Sequence, residues 1–158
     1  MNIEKKHNKK GFTLIEVLVV IGIIAILAGI VLVAVSPSKQ FKRARDSARV
    51  AHINAILNGM QQNIIDHRGK FYCGGVPLAA YPMKYVEIRS DVAGKHDTFH
   101  MSVCMIYPYL SKFPFDPSIG YYADPEHYNI GYSVKWDENG RIYVRAKGEL
   151  QDEIVVSR

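Results

Sequence analysis

KGFTLIEVLVVIGIIAILAGIVLVAV, residues 10–35, is the stretch from which the rest of the chain is best read. Phe12 to Val35 is 24 residues long and holds one charge, Glu16, near its start. A helix rising ~1.5 Å per residue covers about 36 Å over that length, enough for a hydrocarbon layer ~30 Å thick. The simplest reading is a transmembrane anchor. Glu16 fits it poorly, because a carboxylate in an apolar helix costs about 2.5–3.5 kcal/mol and calls for a partner.

The residues upstream narrow the choice. Residues 1–10 are mostly polar and basic, and Gly11 then leads into Phe12-Thr13-Leu14-Ile15-Glu16. This arrangement resembles the leader and N-terminal helix of type IV pilins and of the pseudopilins of type II secretion. The resemblance implies cleavage after Gly11 by a prepilin peptidase on the cytoplasmic side, and N-methylation of the new terminus, Phe12. It makes Glu16 the family's acidic position. It also implies an N-terminus-in orientation at the inner membrane, which charge counting does not supply. Lys39, Lys42, Arg43, Arg45 and Arg49 follow the apolar run and balance the lysines that precede it. A conventional signal peptide is disfavoured, since the run is far longer than a 7–15-residue h-region.

The fold expected from the resemblance is α+β and pilin-like. A long hydrophobic N-terminal helix forms a spine packed on a small C-terminal antiparallel sheet. The parts are a leader over 1–11, a membrane and filament-core helix over 12–35, an amphipathic half-spine over 36–67, a connecting region over 68–130 and a sheet over 131–158.

Composition agrees with a single modest domain outside the membrane. The chain has 158 residues, with ten Tyr, six Phe and one Trp available for a core. Removing a leader of net +3 from a chain of net +5 leaves +2, so a strongly basic nucleic-acid binder is not indicated.

Ser36-Pro37-Ser38 interrupts the apolar run, with Ser36 suited to an N-cap and Pro37 to a first helical turn. Beyond it Val50, Ile53, Leu57, Met60 and Ile64, with Ile56 alongside, make one apolar stripe at helical spacing. The opposite face carries His52, Asn58, Gln62 and Asp66. As one bent rod, residues 12–67 would reach about 84 Å. The basic stretch Lys39–Arg49 has two readings, a solvated face near lipid phosphates or ion pairs with neighbouring subunits; Asp46 is the only acid within it. Arg68-Gly69-Lys70 closes the helix with a glycine.

Residues 71–130 hold Pro77, Pro82, Pro108, Pro114, Pro117 and Pro125, and read as a long excursion with a short strand at Tyr85–Arg89 and a short helix or strand within Thr98–Leu110. For an extracytoplasmic head, Cys73 and Cys104 read as a disulfide. Asp116, Asp124 and Glu126 lie in proline-shaped turns before the last strands. They are weak calcium candidates, on the pattern of some pseudopilins. No cofactor is otherwise expected. Downstream, Tyr132, Val134 and Trp136 alternate with polar residues, as do Ile142, Val144 and Ala146; Asp137–Gly140 reads as the hairpin turn between them, and Glu153–Val156 as a third strand.

No catalytic constellation stands out. His96 and His100 with Asp97 form at most a lone pair on one helical face, and no nucleophile elbow or phosphate-cradling loop is present. The chain reads as no enzyme but as the structural subunit of a type IV pilus-like filament, a helical homo-oligomer. The alternatives are a type II secretion pseudopilin, or a minor pilin that binds DNA or a surface. The implied partners are the peptidase, an assembly platform protein and its ATPase, and the inner membrane before assembly. The filament itself would be extracellular or periplasmic.

Overall fold

The computed structural model describes residues 11–34, 36–73, 76–77, 82–90 and 98–158. Residues 1–10 of the expected leader and the His96-Asp97 pair lie outside the described residues. The chain divides into two units, one ending at Gln40 and the other comprising Phe41–Arg158.

In the first unit, helix α1 (Leu14–Ala34) is 21 residues long and has no buried side chain. Its isoleucines and valines are mediocre helix formers in water, but in lipid a helix is the form that satisfies its own backbone. At ~1.5 Å per residue it measures about 32 Å, and among the described residues it is the one helix long and apolar enough to cross a membrane. Ser36 caps the next helix, α2 (Pro37–Asp66), its carbonyl accepting from Lys39 and Gln40 at 3.1 and 3.3 Å.

The second unit is built on one face of α2. Ile53, Ile56, Leu57 and Met60 are completely buried, and Ile64 packs against the same core. Val50, placed in that stripe by spacing alone, is instead 40% exposed. The buried line continues downward through the polar pair Asp46 and Arg49 and ends upward at Asn63. Asn63 acts as a surrogate strand: its side chain donates to the Tyr72 carbonyl at 2.9 Å and accepts from the Tyr72 N–H at 2.8 Å. The helix stops where Arg68 and Gly69 both turn to positive φ, 55° and 86°, and Gly69 N–H closes on the Ile64 carbonyl. Glycine is free to do this; Arg68 does it at some cost.

Opposite α2 lies an antiparallel sheet. In chain order its strands are β3 (Val86–Arg89), β4 (Tyr121–Asp124), β5 (His127–Trp136), β6 (Ile142–Lys147) and β7 (Glu153–Ser157). The spatial order is β3-β5-β6-β7, with β4 paired to the start of β5 on the edge opposite β3. The expected alternation is present: Tyr132, Val134 and Trp136 on β5 and Ile142, Val144 and Ala146 on β6 face the core. The sheet exceeds the three strands read from periodicity. Two short strands come from the connecting region, and β5 starts at His127, with Tyr128 and Ile130 also buried. Of the two short strands, β3 is the one read at Tyr85–Arg89; β4, four residues in proline-punctuated sequence, carries too few alternations to be read locally. Asp137 shapes the β5–β6 turn by accepting from the N–H groups of Asn139 and Arg141, with Gly140 at φ 78°.

Among the described residues, the rest of the connecting region contributes an antiparallel pair, β1 (Tyr72–Cys73) with β2 (Val76–Pro77), and a single turn of helix, α3 (Ser102–Met105). Cys73 and Cys104 are disulfide-bonded, which ties that pair to α3. A cross-link of this kind removes unfolded-state freedom equivalent to about 2–4 kcal/mol.

The charges of α2 behave differently from the sequence reading. Arg49 is nearly fully buried; its Nε and Nη2 grip Asp116 at 2.7 and 3.1 Å, and its Nη1 donates to Asp46 at 2.8 Å and Glu149 at 3.1 Å. Arg45 makes a second fork onto Glu149. Asp46 in turn accepts from the N–H groups of Glu149 and Leu150, both at 3.0 Å. The acids that local sequence seemed to lack arrive from Asp116 and Glu149, so pairing within the chain is extensive. Gly131 leaves the room: at φ 75°, its added Cβ would fall 2.8 Å from the Asp116 Cβ.

Arg45 above all, then Arg49 and Ser118, hold the Glu149 carboxyl down at about 2, against an ordinary 4.5. Burial pushes Asp46 up, but the Glu149 and Leu150 N–H groups and Arg49 outweigh it, and its carboxyl also stays low. Depressed carboxylates stabilise the fold above their unfolded pKa, and that contribution disappears as pH falls toward the folded one. The thermal midpoint, followed by near-ultraviolet dichroism of Trp136, is expected to drop as pH goes from 5 toward 2. Glu149→Gln should flatten part of that slope while lowering the midpoint at neutral pH. A parallel slope in the variant would reject the assignment to Glu149.

Arg49→Met leaves the fully buried Asp116 without its cation and should cost about 3–5 kcal/mol in urea unfolding. Arg49→Met combined with Asp116→Asn should recover much of that loss, because the uncompensated charge is gone while Asn still accepts from the N–H groups of Ser118 and Ile119. Simple additivity of the two losses would contradict the pairing.

Candidate functional site

The residues singled out at the N-terminus are Gly11, Phe12 and Glu16, and all three are described. Gly11, Phe12 and Thr13 precede α1 in non-helical conformation, and the Phe12 ring is 85% exposed. Thr13 is the N-cap. Its Oγ1 accepts from the Glu16 N–H at 3.3 Å, and the Glu16 carboxylate reaches back to the Thr13 N–H at 3.0 Å and the Thr13 hydroxyl at 2.9 Å. This is a reciprocal capping box, in which two donors orphaned at a helix start are satisfied by each other's residue.

The box changes the energetics of Glu16. Its carboxylate has hydrogen-bond donors within its own chain, and the start of a helix favours an anion in the first turn. The signal was present in the sequence as T-x-x-E directly before an apolar run, and reading Glu16 only as an unpaired charge missed it.

The other candidate residues are dispersed. Asp116 is committed to Arg49 and to the Ser118 and Ile119 N–H groups. Asp124 caps its own turn, accepting from the N–H groups of Glu126 and His127, with the His127 ring at 3.0 Å. No cluster of three or more His, Cys, Asp or Glu side chains placed to hold a metal occurs among the described residues. His100 is exposed and sits edge-on to Tyr128. His52, placed on the polar face by spacing, is half-buried and meets the hydroxyl of the buried Tyr132 at 2.9 Å.

What these features define is a chain with an N-terminal apolar helix capped by Thr13 and Glu16, followed by an α+β head stapled by one disulfide. Residues 6–32 match the family described as the prokaryotic N-terminal methylation motif. The chain is also similar to the type IV wide pilus major component PilA4 of Thermus thermophilus, 42% identical over 61 residues, which is 39% of this chain and 45% of that protein. It thus spans under half the length of the curated relative it matches. No solved structure matches it. Motif and relative thus liken the N-terminal part of the chain to that of type IV pilins.

If the box holds the helix start, Thr13→Val should weaken it by about 1 kcal/mol, speeding amide exchange at residues 14–17 in detergent about fivefold. Thr13→Ser, which keeps the hydroxyl, should leave exchange unchanged. Equal exchange in wild type and Thr13→Val would remove the cap.

Proposed function

We propose that the chain is the structural subunit of a type IV pilus-like filament, cut after Gly11, N-methylated on Phe12 and assembled through α1. The observation that carries this reading is that α1 buries none of its 21 residues. An apolar helix exposed all round must be covered by lipid or by other helices of its kind. The methylation motif over residues 6–32 and the resemblance to a pilus component support the second cover. The pilin family is structural rather than enzymatic, and nothing in the proposed role needs a cofactor.

In this reading the subunit waits in the inner membrane with its head on the extracytoplasmic side, and a separate platform protein and ATPase extract it. Cleavage after Gly11 frees the Phe12 amine beside the capping box. In the dry filament core, that amine, on the same or a neighbouring chain, offers Glu16 a charge that Thr13 does not. A buried ion pair adds little net stability, but leaving one member alone costs about 3–5 kcal/mol, which penalises wrong register. The box keeps the carboxylate tolerable in lipid until the amine arrives.

The test is electron microscopy of sheared surface material, with mass spectrometry for N-methyl-Phe12. Fibres containing this chain, starting at methylated Phe12, are the expected result; surface fibres that lack it would overturn the reading. Glu16→Ala and Glu16→Leu should insert and be processed while filament yield collapses, and normal yield would sink the role of Glu16. A bulky replacement at Gly11 should leave the 11-residue leader attached.

A further inference from the structure

The basic stretch after the apolar run is not one feature but two. Arg45 and Arg49 are consumed within the head by Glu149, Asp46 and Asp116. Lys42 and Arg43 are not: among the described residues, neither is in an ion pair. Immediately before them Phe41 is 65% exposed, a large aromatic ring in an otherwise polar turn of α2. We propose that Phe41, Lys42 and Arg43 form an interfacial foot that binds anionic phospholipid headgroups while the subunit waits in the membrane. The proposal rests on the reading of α1 as a membrane anchor.

Chain length puts the foot within reach of lipid in any arrangement of the two units. From Ala34, where α1 ends, to Pro37, where α2 begins, are three steps of at most ~3.5 Å, and from Pro37 to Phe41 four helical steps of ~1.5 Å. Phe41 therefore stands no further than about 17 Å from the end of the apolar helix. The headgroup layer takes up the first ~5–8 Å of that distance. The ~8–10 Å over which charges act at physiological salt and the length of a lysine or arginine side chain cover the remainder.

The chemistry matches that layer and little else on the molecule. An aromatic ring at the edge of the hydrocarbon, flanked by cations with long aliphatic stems, is the composition that settles at headgroup depth. The cations meet lipid phosphate, and the ring meets the acyl boundary. Such a foot has a mechanical use, because α1 is apolar along its length after Glu16 and has no other outward-side feature to resist sliding along the membrane normal. Attraction of this kind amounts to roughly fivefold in partitioning for each cation.

The test uses the full chain carrying Phe41→Trp, reconstituted in vesicles of phosphatidylcholine alone or mixed with phosphatidylglycerol. The signal of the native Trp136 is subtracted using the parent chain. Quenching by lipid with a nitroxide on its headgroup reads the depth of the reporter. The expected result is blue-shifted emission, with quenching stronger in the anionic vesicles. Lys42→Gln with Arg43→Gln should return it to the level in neutral lipid, as should high salt. Water-like, unquenched emission in both vesicles, or quenching indifferent to the double substitution, overturns the proposal. A signal that follows protein density rather than lipid charge assigns the patch to a second copy and also overturns it. Insertion of α1 is read separately by resistance to carbonate extraction. Loss of insertion defeats the anchor reading and this proposal together, whereas an inserted chain without quenching defeats this proposal alone.

Discussion

The head of this protein folds around a single face of α2, and that face changes character along its length. Ile53, Ile56, Leu57 and Met60 supply the dry middle that the sheet covers. Below them Arg49 enters the same buried line as a full charge, a placement tolerable only because Asp116, Asp46 and Glu149 converge on it. The guanidinium thereby joins three segments far apart in sequence: the helix, the loop before β4 and the turn between β6 and β7. A buried charge in this setting specifies register more than it stabilises, since removing a partner costs far more than the intact set contributes.

The N-terminal unit solves a related problem by opposite means. α1 has one charge and no interior to hide it in, so the charge is managed locally, by Thr13 and the start of the helix itself. Local management gives the carboxylate its partners within a single turn of its own chain. The two carboxylate arrangements, one four residues long and the other spanning most of the head, reflect how much protein surrounds each.

The legible part of the sequence was whatever repeats or neighbours along the chain. Hydrophobic length announced α1; helical spacing announced most of the α2 stripe; period-two alternation announced β5 and β6. The reading failed where spacing was right but surroundings were not. Val50 is on the stripe by count and exposed in fact, because the line there is taken over by Arg49. His52 is on the polar face by count, yet it meets the buried Tyr132 hydroxyl. Asp116 is in a turn by local sequence, and nothing nearby announces its bidentate partner, an arginine 67 residues away.

By itself, then, the sequence determined the anchor, the capping pattern T-x-x-E, the amphipathic helix and the C-terminal hairpin, because each is set by contacts a few residues apart. Tertiary structure alone decided which cations of the basic stretch are spent and which remain. It brought Glu149 to Arg45 across 104 positions and left Lys42 and Arg43 without an ion pair among the described residues. Ion pairing has no periodicity, so nothing in the order of residues 39–49 distinguishes a charge that will be buried from one that will stay outside the core. Only the fold, by bringing acids to one side of α2, separates them.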